Sequence, residues 1–202
     1  MSIEPSCVAI VSAQASVAGG KGVDGRCETA FEQDLAVIRS VAERNGGEVL
    51  AVAGMQVQLA FAGAHHAVGS VLDMQGLFSG SRWHGAAKLR YRFGAHLGPV
   101  VVLPEGPKGE AVEIATGIQR IARTGGFWVS RAMVEAVKGR VAVIALPRGN
   151  RRLRELDRTV EVFELIQGLG PIADAAKRWR LSKAAPAWAG SLAAERGRLS
   201  PL

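Results

Sequence analysis

Residues 46–61 read "GGEVLAVAGMQVQLAF", two short apolar runs on either side of Ala53, Gly54, Met55 and Gln56. Two such runs flanking a glycine-bearing turn predict a β-hairpin, with strands over 48–52 and 57–62. Its tip carries a methionine, either a core residue beside a turn or a residue at a position where a ligand side chain would stand. Upstream, Phe31, Leu35, Ile38 and Val41/Ala42 recur at helical spacing from Thr29, and Asn45, Gly46 and Gly47 supply the left-handed stop. Residues 7–13, "CVAIVSA", read as a buried strand. The glycine-rich "SVAGGKGVDGR" after it has neither the GxxxxGK[ST] nor the GxGxxG order of a phosphate cradle, so it is taken as a connection.

Downstream, a second helix is expected over 64–78, closed by the loop "SGSRWHG". Residues 89–103, "LRYRFGAHLGPVVVL", alternate and then become continuously apolar, as a central strand pair or one long bent strand would. Residues 104–108 break that strand. A helix follows over 111–123, then a short strand at 127–129, then a helix to Val137 capped by Ser130. Two last strands, 141–146 and 160–165, are joined by the charged turn "PRGNRRLRELD". Without strict βαβ regularity, the order predicts an α+β fold with helices packed on one face of a mixed sheet.

With 202 residues, 48% hydrophobic and 21% charged, the chain suits one core-forming domain over 1–167 and an appended basic tail over 168–202. The N-terminus lacks the basic flank of a signal or transit peptide, and no window of eighteen residues is uninterruptedly apolar, so a cytoplasmic protein without a membrane span is expected. Cys7 and Cys27 have no CxxC spacing, which argues against a structural zinc site, and no cofactor is expected. The net charge of +7 is concentrated in the tail, where Lys177, Arg178, Arg180, Lys183, Arg196 and Arg198 outnumber Asp174 and Glu195.

The order of elements and four local patterns resemble the catalytic domain of class III adenylate and guanylate cyclases. "NGGEVLAVAGMQVQLAF" is similar to the family's strand-turn-strand, with its Lys-Phe-x-Gly-Asp tip. "FGAHLGPVVV" resembles the Gly-x-His-x-Gly-x-Val strand, with Gly94, His96 and Gly98 in register. "KGEAVEIATGIQRIARTGGFWVS" is similar to the Asn-x-Ala-x-Arg helix and the strand after it, and "RTVEVFEL" to the closing strand. The resemblance covers about residues 6–165. It implies the class III cyclase fold, a ferredoxin-like mixed sheet. Cyclisation needs two divalent cations held by carboxylates, together with groups that steady the phosphoryl charge.

Carried over by position, none of these groups is present. The metal aspartates fall on Ser12 and Met55, which are expected to sit close together; a hydroxyl is a weak ligand for a hard cation and a thioether a soft one. The base-reading Lys falls on Ala51 and its purine-selecting partner on Gly106. The ribose Asn falls on Glu113 and the transition-state Arg on Gly117. Arg120 and Arg123 lie in other turns of the same helix. His96 is expected to be a structural histidine of the sheet, and the adjacent His65 and His66 are not expected to face one site.

The resemblance therefore implies a degenerate cyclase, not an enzyme, that acts in signal transduction as a protein-interaction module, as a homodimer or with another cyclase-like chain. Two alternatives are a non-catalytic regulatory subunit of a heterodimeric cyclase, and binding of nucleic acid or an anionic surface through the basic tail. The tail's interaction candidates are Arg178, Trp179, Arg180 and Trp188. Ile172, Ala176 and Trp179 would form one apolar helical stripe before Pro186.

Overall fold

The structure is a computed structural model that describes residues 6–17, 25–79, 89–103, 106–154 and 156–168. The loop "SGSRWHG" beyond Ser79 and the tail residues Arg178, Trp179, Arg180 and Trp188 lie outside the described residues.

The sheet is organised around β1 (Ser6–Val17), which pairs antiparallel with two neighbours at once. Its alternating side chains feed two cores: Ala9, Val11, Ala13 and Ala15 enter one, and Val8 and Ile10 the other. Burial on both faces explains why the strand reads as an unbroken apolar run. Helix α1 (Gly25–Arg44) begins one turn before the expected Thr29 and buries Phe31, Ile38, Val41 and Ala42 on the first core. It stops at Asn45, whose Nδ2 donates to Val41 O at 2.9 Å, and Gly46 takes the positive φ of 69° that turns the chain into the sheet.

The hairpin is β2 (Gly47–Ala53) and β3 (Gln56–Phe61), with Gly54 at φ 54° in the two-residue turn. Helix α2 (Ala64–Ser79) follows, and β4 (Leu89–Leu103) is one fifteen-residue strand rather than a pair. Beyond it, β5 (Gly106–Lys108) folds back on the end of β4. Helix α3 (Glu110–Ile121), β6 (Phe127–Ser130), α4 (Arg131–Val137), β7 (Val143–Leu153) and β8 (Arg158–Gln167) complete the chain. The strand order is β2-β3-β1-β4-β6-β8-β7, with β4 and β6 parallel and the other pairs antiparallel. The expected mixed α+β architecture is present. Among the described residues no helix is long and apolar enough to cross a membrane.

Two expectations are corrected. The helices do not share one face: α1, α2 and α4 pack on the main core, while α3 packs on the opposite face through Ala111, Val112 and Ala115 and, further along, Ile114, Ile118 and Ala122. The charged segment after Leu146 is not a turn but the continuation of β7, interrupted by a bulge between Pro147 and Gly149. As the edge strand, β7 exposes its outer side chains to water, so arginines and a proline are tolerated there. The turn comes only after Leu153, where β7 ends, and Asp157 takes φ 46° just before β8.

Candidate functional site at the hairpin tip and on helix α3

The tip of the β2–β3 hairpin leans on the end of β1, where Ala15 N donates to Met55 O at 3.0 Å. The Met55 side chain is half-buried and packs against the main core, on the α1 face. An open cleft of about 690 Å³ lies here, and Gln14, Ser16, Glu28, Phe31, Glu32 and Met55 line it. Ser12 is elsewhere. It pairs with Gln58 and Gly94, is 0% exposed, and accepts a hydrogen bond from Gln56 Nε2 at 3.0 Å. It shares the face of Val8 and Ile10.

Met55 is level with Ala15, three strand residues or about 10 Å from Ser12. The expectation that Ser12 and Met55 sit together is therefore corrected. The polar β1 residues that line the cleft with Met55 are Gln14 and Ser16, which the sequence reading passed over. The β1–β3 register, which pairs Gln14 with Gln56 beside the tip, is the signal that would have found Gln14. Among the described residues no three His, Cys, Asp or Glu side chains converge to hold a metal ion.

On the opposite face, Glu113 is exposed in the first turn of α3, where with Glu110 it places negative charge at the positive end of the helix dipole. One turn on, Gly117 is buried against β7. A Cβ built on it would stand 3.1 Å from Leu153 Cδ1 and 3.3 Å from Leu153 Cβ. Ala51 lies on β2 next to a register shift, and Gly106 opens β5 at φ 122°. The short strand β5 lies against both β2 and α3, so the elements that carry these positions are neighbours. Arg120 is exposed near the end of α3, and Arg123, expected within the helix, lies beyond its end.

Arg123 and Arg148 instead hold one buried carboxylate. Glu164 on β8 is 1% exposed; Arg123 Nε donates to Oε1 at 2.7 Å, and Arg148 pairs with Oε2. The bulge turns Arg148 inward over the Trp128 ring, 5.9 Å from its centroid. Arg152 pairs with Asp157, and Arg158 with Glu110. On β7, Arg148 and Arg152 thus already have carboxylate partners. A second buried carboxylate, Asp34 on α1, accepts a hydrogen bond from Tyr91 Oη at 2.8 Å, and burial pushes the tyrosine hydroxyl well above its usual titration range.

His96 on β4 meets Ser130 across the sheet, Nδ1 to Oγ at 2.8 Å. Ser130 stands at the N-cap of α4 as expected, but its hydroxyl serves His96 and makes no capping bond. Burial, with Arg158 nearby, lowers the His96 pKa to about 4. The His65 and His66 rings lie against each other at the start of α2, with centroids 4.0 Å apart; burial lowers both pKa values.

Because the folded His96 pKa lies below the unfolded value of about 6.5, the unfolded chain takes up the proton first. The stability this contributes is complete above that value and is lost as pH falls from there towards 4. His96→Asn is expected to reduce the loss of stability between pH 7 and pH 5, read by urea titration, by about 1 kcal/mol after allowance for partial exposure. An unchanged pH dependence would contradict this role.

No protein-family model and no curated protein matches the sequence. Solved structures do. The chain superposes on the guanylate cyclase domain of RhGC from Catenaria anguillulae with a TM-score of 0.70 at 14% identity, covering 83% of this chain and 100% of that one. The adenylyl cyclase CyaB from P. aeruginosa gives 0.67 at 14% identity, covering 82% and 97%. A dimeric guanylyl cyclase domain from Blastocladiella emersonii gives 0.67 at 15%, covering 82% and 99%. At these identities the likeness is one of fold. The described chain has the fold of adenylyl and guanylyl cyclase catalytic domains.

Proposed function

We propose that this chain is a catalytically inactive cyclase homology domain that works as a protein-interaction or regulatory module, pairing with a second copy or with another cyclase-like chain. The observation that carries the reading is the contact between Gly117 and Leu153. The helix position that resemblance assigns to a transition-state arginine is a glycine packed under a core leucine, with side-chain carbon 3.1 Å from where a Cβ would stand. A longer side chain there would first need the Leu153 side chain to give way. Met55 supports the same reading, since its thioether rests on the apolar core beside Gln14. Pairing as the mode of action is in keeping with the non-canonical dimer of the Blastocladiella domain, which has also been solved as a monomer.

The purified chain is expected to gain no stability from ATP or GTP with magnesium or manganese. A nucleotide at a hundredfold excess over its dissociation constant would add about 2.7 kcal/mol, which a melting curve resolves readily. A melting shift that requires both metal and nucleotide would overturn the reading.

A further inference from the structure

We infer that the start of the basic tail, residues 171–182, docks in cis on an apolar row at the β7 edge of the sheet. The row is Ile144 and Leu146 on β7 with Ile166 on β8. Ile144 is 47% exposed and Leu146 36%, and Ile144 is the most exposed large hydrophobic among the described residues. In the ladder Ile144 pairs with Ile166 and Leu146 with Glu164, so these side chains share the α3 face of the sheet with Trp128, the partner of Glu164 on β6. An exposed apolar row on a charged edge strand has no structural purpose if it stays in water, and it is a liability for pairing with other chains.

The occupant is identified by where the described chain ends. Val143 pairs with Gln167, and Gly168 N donates to Ala142 O at 3.0 Å, so the chain leaves the sheet directly beside the row. Ile172 is four residues beyond Gly168, a span of at most about 14 Å, and Gly168, Gly170 and Pro171 supply the turn back. From Ile172 to Trp179 the predicted stripe is seven residues, or about 10 Å, long. The row covers two residues along β7, about 7 Å, and one strand spacing of about 5 Å across. The two surfaces therefore match in size and are joined by a linker too short to carry the stripe far away.

Charge agrees with this placement. Asp174, Lys177 and Arg178 fall on the side of the stripe opposite Ile172, Ala176 and Trp179, so docking leaves them in water. The cations nearest the row, Arg123 and Arg148, are already engaged by Glu164 and do not repel the tail at close range. A short amphipathic helix does not hold its shape alone in water, so the row also gives the tail the apolar contact it needs. The inference stands independently of whether the domain turns over nucleotide.

The test uses the full chain with Leu146→Cys and Ala176→Cys, oxidised mildly and mapped by peptide mass spectrometry, which distinguishes the new linkage from any made by Cys7 or Cys27. A 146–176 disulfide within a monomeric chain is the expected result. The same disulfide in covalent dimers would overturn docking in cis and show exchange between copies, and no 146–176 linkage would overturn the contact itself. As a second measurement, tryptic cleavage after Lys177 and Arg178 is expected to be at least ten times faster in Ile144→Gln, whose exposed site pairs with Ile166 and not with the Glu164 carboxylate, than in the native chain. Equal cleavage rates would also overturn the inference.

Discussion

Gly94→Ala is expected to lower the stability of the domain by about 3 kcal/mol, at the upper end of the range for overpacking. A Cβ at this position would stand 2.2 Å from Gln119 N and 2.3 Å from Ala115 O. Both are backbone atoms of α3, so no rotamer change relieves the clash. The helix has to lift from the sheet, and in lifting it strips contact from Val8, Ile10 and Val100 at one end and from Trp128, Leu153 and Val162 at the other. A shift of the urea midpoint at constant slope measures the cost. A change under about 0.5 kcal/mol would mean that α3 does not approach β4 as closely as described.

Removal of both Arg123 and Arg148 is expected to cost about 3–5 kcal/mol, because it leaves the Glu164 carboxylate buried without its cations. Either arginine alone is expected to cost about 1 kcal/mol, since the other remains and both side chains are partly exposed. The cause is separable from lost packing. Adding Glu164→Gln to the double variant removes the uncompensated charge and should restore a large part of the loss. If Arg123→Ala/Arg148→Ala were no worse than the sum of the single changes, and Glu164→Gln gave no recovery, the carboxylate would not depend on the pair.

The elements of the central sheet were legible because their physics is local. The helix over Phe31, Leu35, Ile38 and Val41 announces itself by its spacing, the Asn45–Gly47 stop by its turn chemistry, and the hairpin by two apolar runs around Gly54. What escaped the sequence was tertiary. Nothing in residues 111–122 says which face of the sheet they will cover; the close approach of α3 to β4 rests on Gly94, 21 residues before Ala115 and 25 before Gln119, where a Cβ would meet the helix backbone. The length of β7 was missed because an edge strand need not be apolar on its outer side, so "PRGNRR" reads as a turn until its ladder with β8 is known.

The candidate site divides in the same way. Met55 at the tip and Gly117 on the helix were found by position along the chain, whereas the reason Gly117 is a glycine, the Leu153 side chain of a distant strand, is invisible without the fold. Ser12 was displaced from the tip by the stagger of β1 against β3, which no composition or motif encodes. Arg148 belongs with the ion cluster only because a bulge turns it inward.

The most direct measurement of the central claim is product formation: the purified full chain incubated with ATP or GTP and manganese, and separately with magnesium, with cyclic nucleotide quantified by mass spectrometry. The expected result is product no higher than in a blank without protein, at every concentration of chain assayed. Cyclic nucleotide that rises in proportion to the chain, requires the metal and survives further purification would contradict the account.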